Sequence, residues 1–225
     1  MDKTQLNRHD LVFISQTGKD KIWKELSDKY QGEELSMVRD VFLGDNDIPG
    51  FVRRSDERPE EVALGFVHPQ RIKGNRIRIA AFTGAEDVEI IMTPYEVLQR
   101  KVFTVKGATR CIETIIALYA LADEFDLQIG VLGSAALELA TGLPYTDEAS
   151  DVDILLKPAP YNRLLDFYRT AKENFSDIPL DFELDLPNGY GVKLAEVFMD
   201  TKTLLGKSLD NVSILYRKDI MQYLL

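Results

Sequence analysis

The sequence predicts an α+β protein, with a small N-terminal α+β domain over residues 1–92 and a second domain over residues 93–225 whose mixed sheet is flanked by helices. Three observations support this. The first part holds short apolar runs bounded by Gly and Pro, which are typical of strands. The second part alternates helical spacing with apolar runs, and two of its segments alternate acidic with apolar residues. We place the boundary at Thr93-Pro94, where a strand-like stretch gives way to helical patterning.

The N-terminal part is expected to contain several strands and one helix. The predicted strands are 11–14, 51–54, 61–67 and 76–82, and the predicted helix is 22–30. Segments 61–67 and 76–82 form a hairpin in this interpretation, because Pro69 and Lys73-Gly74-Asn75 supply breaks between them.

In the C-terminal part, Pro94 suits a first helical position with Thr93 as its N-cap. The further predicted helices are 108–125, 134–140, 161–175, a turn at 193–199 and the C-terminus, and the predicted strands are 128–132, 151–156, 180–186 and 212–215.

Composition excludes several classes of protein. The 225 residues include 27 basic and 37 acidic side chains, a net charge of −10, and 45% are hydrophobic. This share excludes wholesale disorder, no apolar run is long enough to cross a bilayer, and no secretory signal is expected at the start. The acidic balance argues against non-specific duplex DNA binding. We therefore expect a cytoplasmic protein without a nucleic-acid or membrane partner.

The few cysteine and histidine residues restrict any metal site. A single cysteine, Cys111, excludes an internal disulfide and a CxxC metal site. With only two histidines, carboxylates would have to hold a metal, which favours a hard ion such as Mg²⁺.

The segments most indicative of chemistry are Gly133-Ser134 and Asp151-Val-Asp153. A strand is expected to end at Gly133-Ser134 where a helix begins, so the glycine permits close backbone approach and the serine hydroxyl and first helical N–H groups can bind an anion. Asp151 and Asp153 lie two apart on a strand and share a face. Two carboxylates so close repel each other unless a cation lies between them, and a divalent metal explains the pair.

The next acidic strand can complete this cluster. Asp181 and Glu183 also share one strand face, and either could be the third carboxylate. We expect Asp151, Asp153 and Asp181 to hold Mg²⁺, and Asp181 or Glu183 to assist catalysis. Carboxylates facing an anion-binding turn are typical of nucleotidyl transfer, in which metal neutralises the transferred phosphate.

These motifs resemble a known superfamily and, within it, a narrower family. Gly133-Ser134 followed by Asp151 and Asp153 is similar to the polymerase-beta-like nucleotidyltransferases. The 16-residue spacer carries Thr141-Gly-Leu-Pro-Tyr145, and helix, TGLPY and SDVDILLKP together resemble the malonate decarboxylase holo-acyl-carrier-protein synthases, which are phosphoribosyl-dephospho-CoA transferases. The resemblance covers the whole chain and includes RHDLV at 8–12, PGFVRR at 49–54, VALG at 62–65 and LDFEL at 180–184.

The resemblance implies a reaction and its partners. The family transfers a group from triphosphoribosyl-dephospho-CoA to a serine of an apo acyl carrier protein and releases pyrophosphate. Asp151 and Asp153 match the family's catalytic aspartates. Two alternatives stay open: another nucleotidyltransferase of the same fold, acting on a small molecule or RNA, and a non-catalytic nucleotide-binding regulator.

Residues 50–80 reverse the acidic balance, with seven basic against four acidic side chains. Arg53 and Arg54 lie in the segment that matches the family, and the arginine fork suits phosphate oxygens. We expect this pair to contact the phosphates of a large nucleotide; the alternative is that these arginines only solubilise their strand.

Overall fold

The computed structural model describes residues 6–54, 57–101 and 109–225. The chain divides into two compact units, Met1–Thr93 with Thr141–Tyr145, and Pro94–Ala140 with Thr146–Leu225. Each unit contains one sheet and packed helices, so the predicted α+β class is confirmed. No helix in the described ranges is long and apolar enough to cross a membrane.

The first unit is built on a five-stranded antiparallel sheet in the order β4-β3-β2-β1-β5. Its strands are β1 Leu11–Ile14, β2 Gly50–Val52, β3 Val62–Ile72, β4 Asn75–Thr83 and β5 Val88–Met92, and its helices are α1 Gln16–Leu26 and α2 Gly32–Leu43. The Ser15 hydroxyl caps α1 by accepting the N–H of Gly18 over 3.1 Å. Phe42 of α2 packs edge-on against Phe66 of β3 with ring centres 4.9 Å apart, which ties the helix to the sheet.

The β3–β4 hairpin differs from expectation at Pro69. The sequence predicts that Pro69 ends the strand, whereas β3 continues to Ile72. The pairing with β4 shifts between Val67 and Arg71, and a bulge of this kind accommodates a proline, which has no N–H for the ladder. Helix α2 was not predicted either, because its first turn is polar and its buried residues, Met37, Val38, Val41 and Phe42, come late.

The second unit is built on a six-stranded mixed sheet in the order β11-β10-β9-β8-β7-β6. Its strands are β6 Ile129–Val131, β7 Val152–Leu156, β8 Leu180–Asp185, β9 Gly191–Lys193, β10 Thr203–Lys207 and β11 Val212–Tyr216. Its helices are α3 Pro94–Lys101, α4 Arg110–Glu124, α5 Gly133–Thr141, α6 Tyr161–Asn174, α7 Leu194–Val197 and α8 Arg217–Met221. Among the strands in the described residues, only β7 and β8 pair in parallel, and α6 supplies the crossover that a parallel pair requires.

One face of β7 and β8 forms the core of this unit. Phe182 of β8 is buried and packs edge-on against Phe167 of α6, with ring centres 5.8 Å apart. Val152 and Ile154 of β7 are fully buried. Because side chains alternate across a strand, the residues between these positions belong to the opposite face, and those residues are acidic.

Candidate active site

The acidic face is formed by two parallel strands whose carboxylates lie in register. Asp153 of β7 pairs with Asp181 of β8, and Leu155 pairs with Glu183. Asp151 immediately precedes β7 and is exposed, as is Asp181, whereas Asp153 and Glu183 are half-buried. The structure therefore brings Asp153 and Asp181, which are distant in sequence, to adjacent positions on one face.

Gly133 lies directly against Asp153. Its φ is +64°, and a Cβ built on it would lie 2.8 Å from Oδ2 of Asp153. The backbone N–H of Leu132 donates to the carbonyl of Asp153 over 3.0 Å, which holds the two segments together. Only glycine combines this left-handed conformation with so close a carboxylate. Helix α5 begins here, and Ser134 in its first turn is half-exposed.

Lys193 of β9 pairs with a carboxylate of the acidic face. The Nζ of Lys193, in β9 opposite Glu183, donates to Oδ2 of Asp181 over 2.9 Å. This hydrogen bond raises the pKa of Lys193, with Asp181, Glu196 and Asp153 adding electrostatic support. The ammonium is charged at neutral pH and partly offsets the negative charge of the site.

Asp185 shares the acidic face but belongs to a separate cluster at its far end. Its Oδ2 accepts the Tyr95 hydroxyl at 2.9 Å and the Lys157 ammonium at 2.5 Å, and Lys157 lies 4.6 Å from the centre of the Tyr95 ring. Burial raises the pKa of Tyr95, with Asp185 adding to the effect. Helix α3 covers this end of the face, because a Cβ on Gly130 of β6 would lie 2.9 Å from Pro94 and Tyr95 of α3. The other end of the face carries Asp153 and Asp181.

The loop that leads into Asp151 is held from both sides. The buried carboxylate of Glu138 accepts the backbone N–H of Thr146 at 2.5 Å and its hydroxyl at 2.8 Å. The thiol of Cys111 in α4 donates to the carbonyl of Asp151 over 3.1 Å. Sequence reasoning missed Glu138; the available signal was a single charged residue in an otherwise apolar run, AALELA at 135–140.

Two family models match the chain. The model of the N-terminal domain of the phosphoribosyl-dephospho-CoA transferase MdcG matches residues 7–94, and that of the C-terminal domain matches residues 99–218. The chain belongs to this family. It is therefore a transferase, and the two MdcG domain models divide it between residues 94 and 99.

Individual relatives agree with this assignment. The phosphoribosyl-dephospho-CoA transferase of Bradyrhizobium diazoefficiens is 27% identical over 221 residues, which cover 93% of this chain and 90% of the relative. Those of two strains of Xanthomonas campestris pv. campestris are each 31% identical over 176 residues, covering 75% of this chain and 79% of the relative. No solved structure matches the chain.

The carboxylates of this MdcG family member suit a hard cation in their chemistry. Asp151 and Asp153 supply oxygen donors, the type that Mg²⁺ prefers. Across the described ranges, no group of three His, Cys, Asp or Glu side chains is placed to hold a metal ion. Asp181 lies beside Asp153 in the register but is paired with Lys193. Asp181 could therefore become a metal ligand only after its hydrogen bond with Lys193 is broken.

The predicted phosphate contacts Arg53 and Arg54 lie in the first unit, directly after β2. Arg53 is half-buried, and its backbone N–H donates to the carbonyl of Ala63 over 3.0 Å. Its Cδ lies 3.8 Å from the position that a Cβ on Gly65 would take. Arg54 is exposed. Their role toward phosphate stays a prediction.

The TGLPY segment, on which the family resemblance partly rests, belongs to the first unit through Tyr145. The side chain of Tyr145 is fully buried, its hydroxyl donates to the carbonyl of Val67 over 2.8 Å, and its carbonyl accepts from the guanidinium of Arg76. Burial raises the pKa of Tyr145. Arg76 of β4 thus has a structural contact within the first unit.

Proposed function

We propose that the chain is a Mg²⁺-dependent nucleotidyltransferase that acts on the acyl carrier protein of malonate decarboxylase. Its donor is triphosphoribosyl-dephospho-CoA, it transfers the phosphoribosyl-dephospho-CoA group to a serine of the apo carrier protein, and it releases pyrophosphate. Membership of the phosphoribosyl-dephospho-CoA transferase family supports the transferred group. We further propose that the reaction takes place in the cytoplasm.

The observation that carries the proposal is the contact between Gly133 and Asp153. A Cβ added to this glycine would lie 2.8 Å from the carboxylate of Asp153, and Asp153 is in register with a second carboxylate, Asp181. An anion-binding helix start beside paired carboxylates is the arrangement that transfer of a phosphoryl-linked group requires.

The proposed roles follow from these positions. Ser134 and the backbone N–H groups after it bind the β- and γ-phosphates of the donor. Asp151 and Asp153 would hold Mg²⁺, with Asp181 as a further ligand, and the ion would neutralise the transferred phosphate and lower the pKa of the attacking hydroxyl. Lys193 of β9 offers a positive charge to the phosphates, and Arg53 and Arg54 are also proposed to bind phosphate.

The chemical step joins the carrier serine to the donor. The serine oxygen attacks the α-phosphorus, the phosphorus–oxygen bond to pyrophosphate breaks, and pyrophosphate leaves in line with the attack. Asp181 or Glu183 positions the serine hydroxyl and accepts its proton. Both lie on the acidic face, two residues apart along β8.

Mass spectrometry of the carrier protein tests this function. Apo carrier protein is incubated with the chain, Mg²⁺ and triphosphoribosyl-dephospho-CoA, with ATP and CTP offered in parallel reactions. We expect a mass increase equal to the phosphoribosyl-dephospho-CoA group with the first donor alone, and none with the Asp153→Asn variant. Transfer of AMP or CMP, or nucleotide binding without any transfer, would overturn the proposal in favour of another nucleotidyltransferase or a regulator.

A further inference from the structure

The outer edge of the second sheet is formed by β11. This strand is last in the sheet order, and it pairs with β10 through Leu205–Ile214 and the neighbouring positions. Within the described parts of the chain, no strand pairs with its other side. An exposed strand edge of this kind is a template for pairing with another chain.

The backbone hydrogen bonds fix which residues of β11 point to that open edge. The N–H of Arg217 donates to the carbonyl of Lys202 over 3.0 Å, and the N–H of Ser208 donates to the carbonyl of Asn211 over 2.8 Å. Residues 211 and 217 therefore point their backbone groups toward the β10 side. Because these directions alternate along a strand, the N–H and C=O groups of Val212, Ile214 and Tyr216 point outward.

The side chains of the same three residues are apolar and exposed. Val212 is 47%, Ile214 72% and Tyr216 60% exposed, and Leu205 lies beside Ile214 on the same face. The apolar surface continues into a cavity of about 150 Å³ whose walls include Ile214 and Tyr223. Exposed apolar side chains on a row of unpaired backbone groups indicate a protein interface.

The edge is complementary to itself in one antiparallel register. A two-fold axis through Ile214 places Ile214 opposite its own copy and Val212 opposite Tyr216, so every outward-pointing residue meets an apolar partner. Beyond the strand ends, the same register brings the turn that holds Asp210 near the start of α8, which holds Lys218, in the other copy. Both are exposed, and the Lys218 ammonium lies 5.7 Å from the centre of the Tyr216 ring, on the edge itself.

We propose that two copies of the chain associate through β11, in this antiparallel register centred on Ile214. The two sheets become one continuous sheet, and the outward N–H and C=O groups of Val212, Ile214 and Tyr216 all find partners. Two Asp210–Lys218 pairs flank the apolar centre by symmetry, as expected of an interface in which each copy presents the same surface. The side chain of Tyr223, which lines the cavity beside the edge, extends the buried area beyond the strand pair, as a stable dimer requires.

Sedimentation velocity over a range of concentrations tests the association. We expect the wild-type chain to be dimeric and Ile214→Lys to weaken the dimer by about 100-fold or more, since two ammonium groups would face each other at the axis. Ile90→Lys is the matched control, because Ile90 is 52% exposed on β5, the outermost strand of the other sheet, and should leave the dimer unchanged. A wild-type monomer at every concentration, or an Ile214→Lys dimer as tight as wild type, overturns the proposal.

Disulfide trapping tests the register itself. In antiparallel pairing, directly opposed residues have Cα atoms about 5.5 Å apart, within the span of a disulfide. The native Cys111 is buried and should not cross-link. We expect Ile214→Cys to form a covalent dimer on oxidation, Val212→Cys alone to form none, and a mixture of Val212→Cys with Tyr216→Cys to form a heterodimer. The register is overturned if Val212→Cys cross-links to itself. It is also overturned if Val212→Cys and Tyr216→Cys form no heterodimer.

A third measurement separates a second copy from another occupant. If the wild-type chain stays monomeric until apo carrier protein is added, and Ile214→Lys abolishes that complex, the edge binds the carrier protein and self-association is overturned. If the carrier protein binds equally well to wild type and to Ile214→Lys while only wild type is dimeric, the proposal stands.

Discussion

Lys193 donates a hydrogen bond to Asp181 across neighbouring strands, with 2.9 Å between Nζ and Oδ2. Asp181 is in turn in register with Asp153. The acidic face of this transferase therefore carries its own counter-charge. Because both partners are about half exposed, the pair adds little to stability, and its consequence is electrostatic.

Replacement of Lys193 separates stability from substrate binding. We expect Lys193→Met to change the free energy of unfolding by less than about 1 kcal/mol. The KM for the nucleotide donor should rise by about 10-fold, since an uncompensated acidic face repels phosphate. Steady-state kinetics and chemical denaturation measure the two quantities. Lys193→Arg should recover part of the affinity for the donor. The control is Lys202→Met, at an exposed lysine before β10; an equal rise in KM in this variant would contradict the assignment.

Asp151 and Asp153 test the proposed metal site. We expect Asp151→Asn and Asp153→Asn each to lower the transfer rate by about 1,000-fold or more, because the loss of metal-based charge stabilisation costs several kcal/mol. Circular dichroism and thermal unfolding should stay as in wild type. Calorimetry should show Mg²⁺ binding to wild type and to the control Asp200→Asn, an exposed aspartate, and none to Asp153→Asn. Near-normal labelling of carrier protein by either site variant would contradict the metal assignment.

Gly133→Ala tests the closeness of the turn to Asp153. Backbone strain at φ +64° should cost about 1–2 kcal/mol of stability. The new Cβ would also displace the carboxylate of Asp153, so the transfer rate should fall by about 100-fold. Gly74→Ala is the matched control, because its φ is +83° but nothing lies within 4 Å of the added Cβ. Equal transfer rates in the two variants would show that the contact does not serve catalysis.

The sequence was informative where local patterns decide the structure. The alternation of acidic and apolar residues predicts that Asp181 and Glu183 share a face, and β8 follows that pattern. The helix signal of Pro94 also holds, because α3 begins at Pro94.

Other features depend on tertiary contacts that no local pattern encodes. The pairing of Lys193 with Asp181 follows from the β8–β9 register, which is set by a turn whose Gly189 adopts a positive φ. Tyr145 joins the first unit because Val67 and Arg76, which are distant in sequence, bind it. The prediction that Pro69 would end a strand was wrong because a bulge absorbs the proline.

Substitution of Glu138 tests whether this residue stabilises the loop before Asp151. Oε2 of its buried carboxylate accepts both hydrogen bonds from Thr146, and Glu138→Gln keeps one acceptor oxygen but removes the negative charge that strengthens both bonds. We expect the free energy of unfolding to fall by about 1–3 kcal/mol and the transfer rate to fall with it at temperatures where the variant is folded. Denaturation and kinetics measure both. Glu173→Gln, at an exposed position of α6, should change neither the stability nor the transfer rate. A Glu138→Gln variant with wild-type stability would contradict the structural role of Glu138.

Cys111 gives a prediction on pH. Burial, reinforced by Asp151 and other nearby carboxylates, raises the pKa of this thiol from 9.0 to about 12. Below pH 9.0 the thiol is protonated in both the folded and the unfolded chain, so it contributes no pH dependence there. As the pH rises from 9.0 toward 12 the unfolded chain releases the proton first, and the free energy of unfolding must fall. Cys111→Ala should lack this part of the loss of stability at alkaline pH, which denaturation curves of the two proteins will reveal.

At neutral pH, iodoacetamide should label Cys111 of the wild-type chain only as fast as the chain unfolds, since the buried neutral thiol is a poor nucleophile. Rapid labelling of the folded protein would show that the thiol is accessible and ionised.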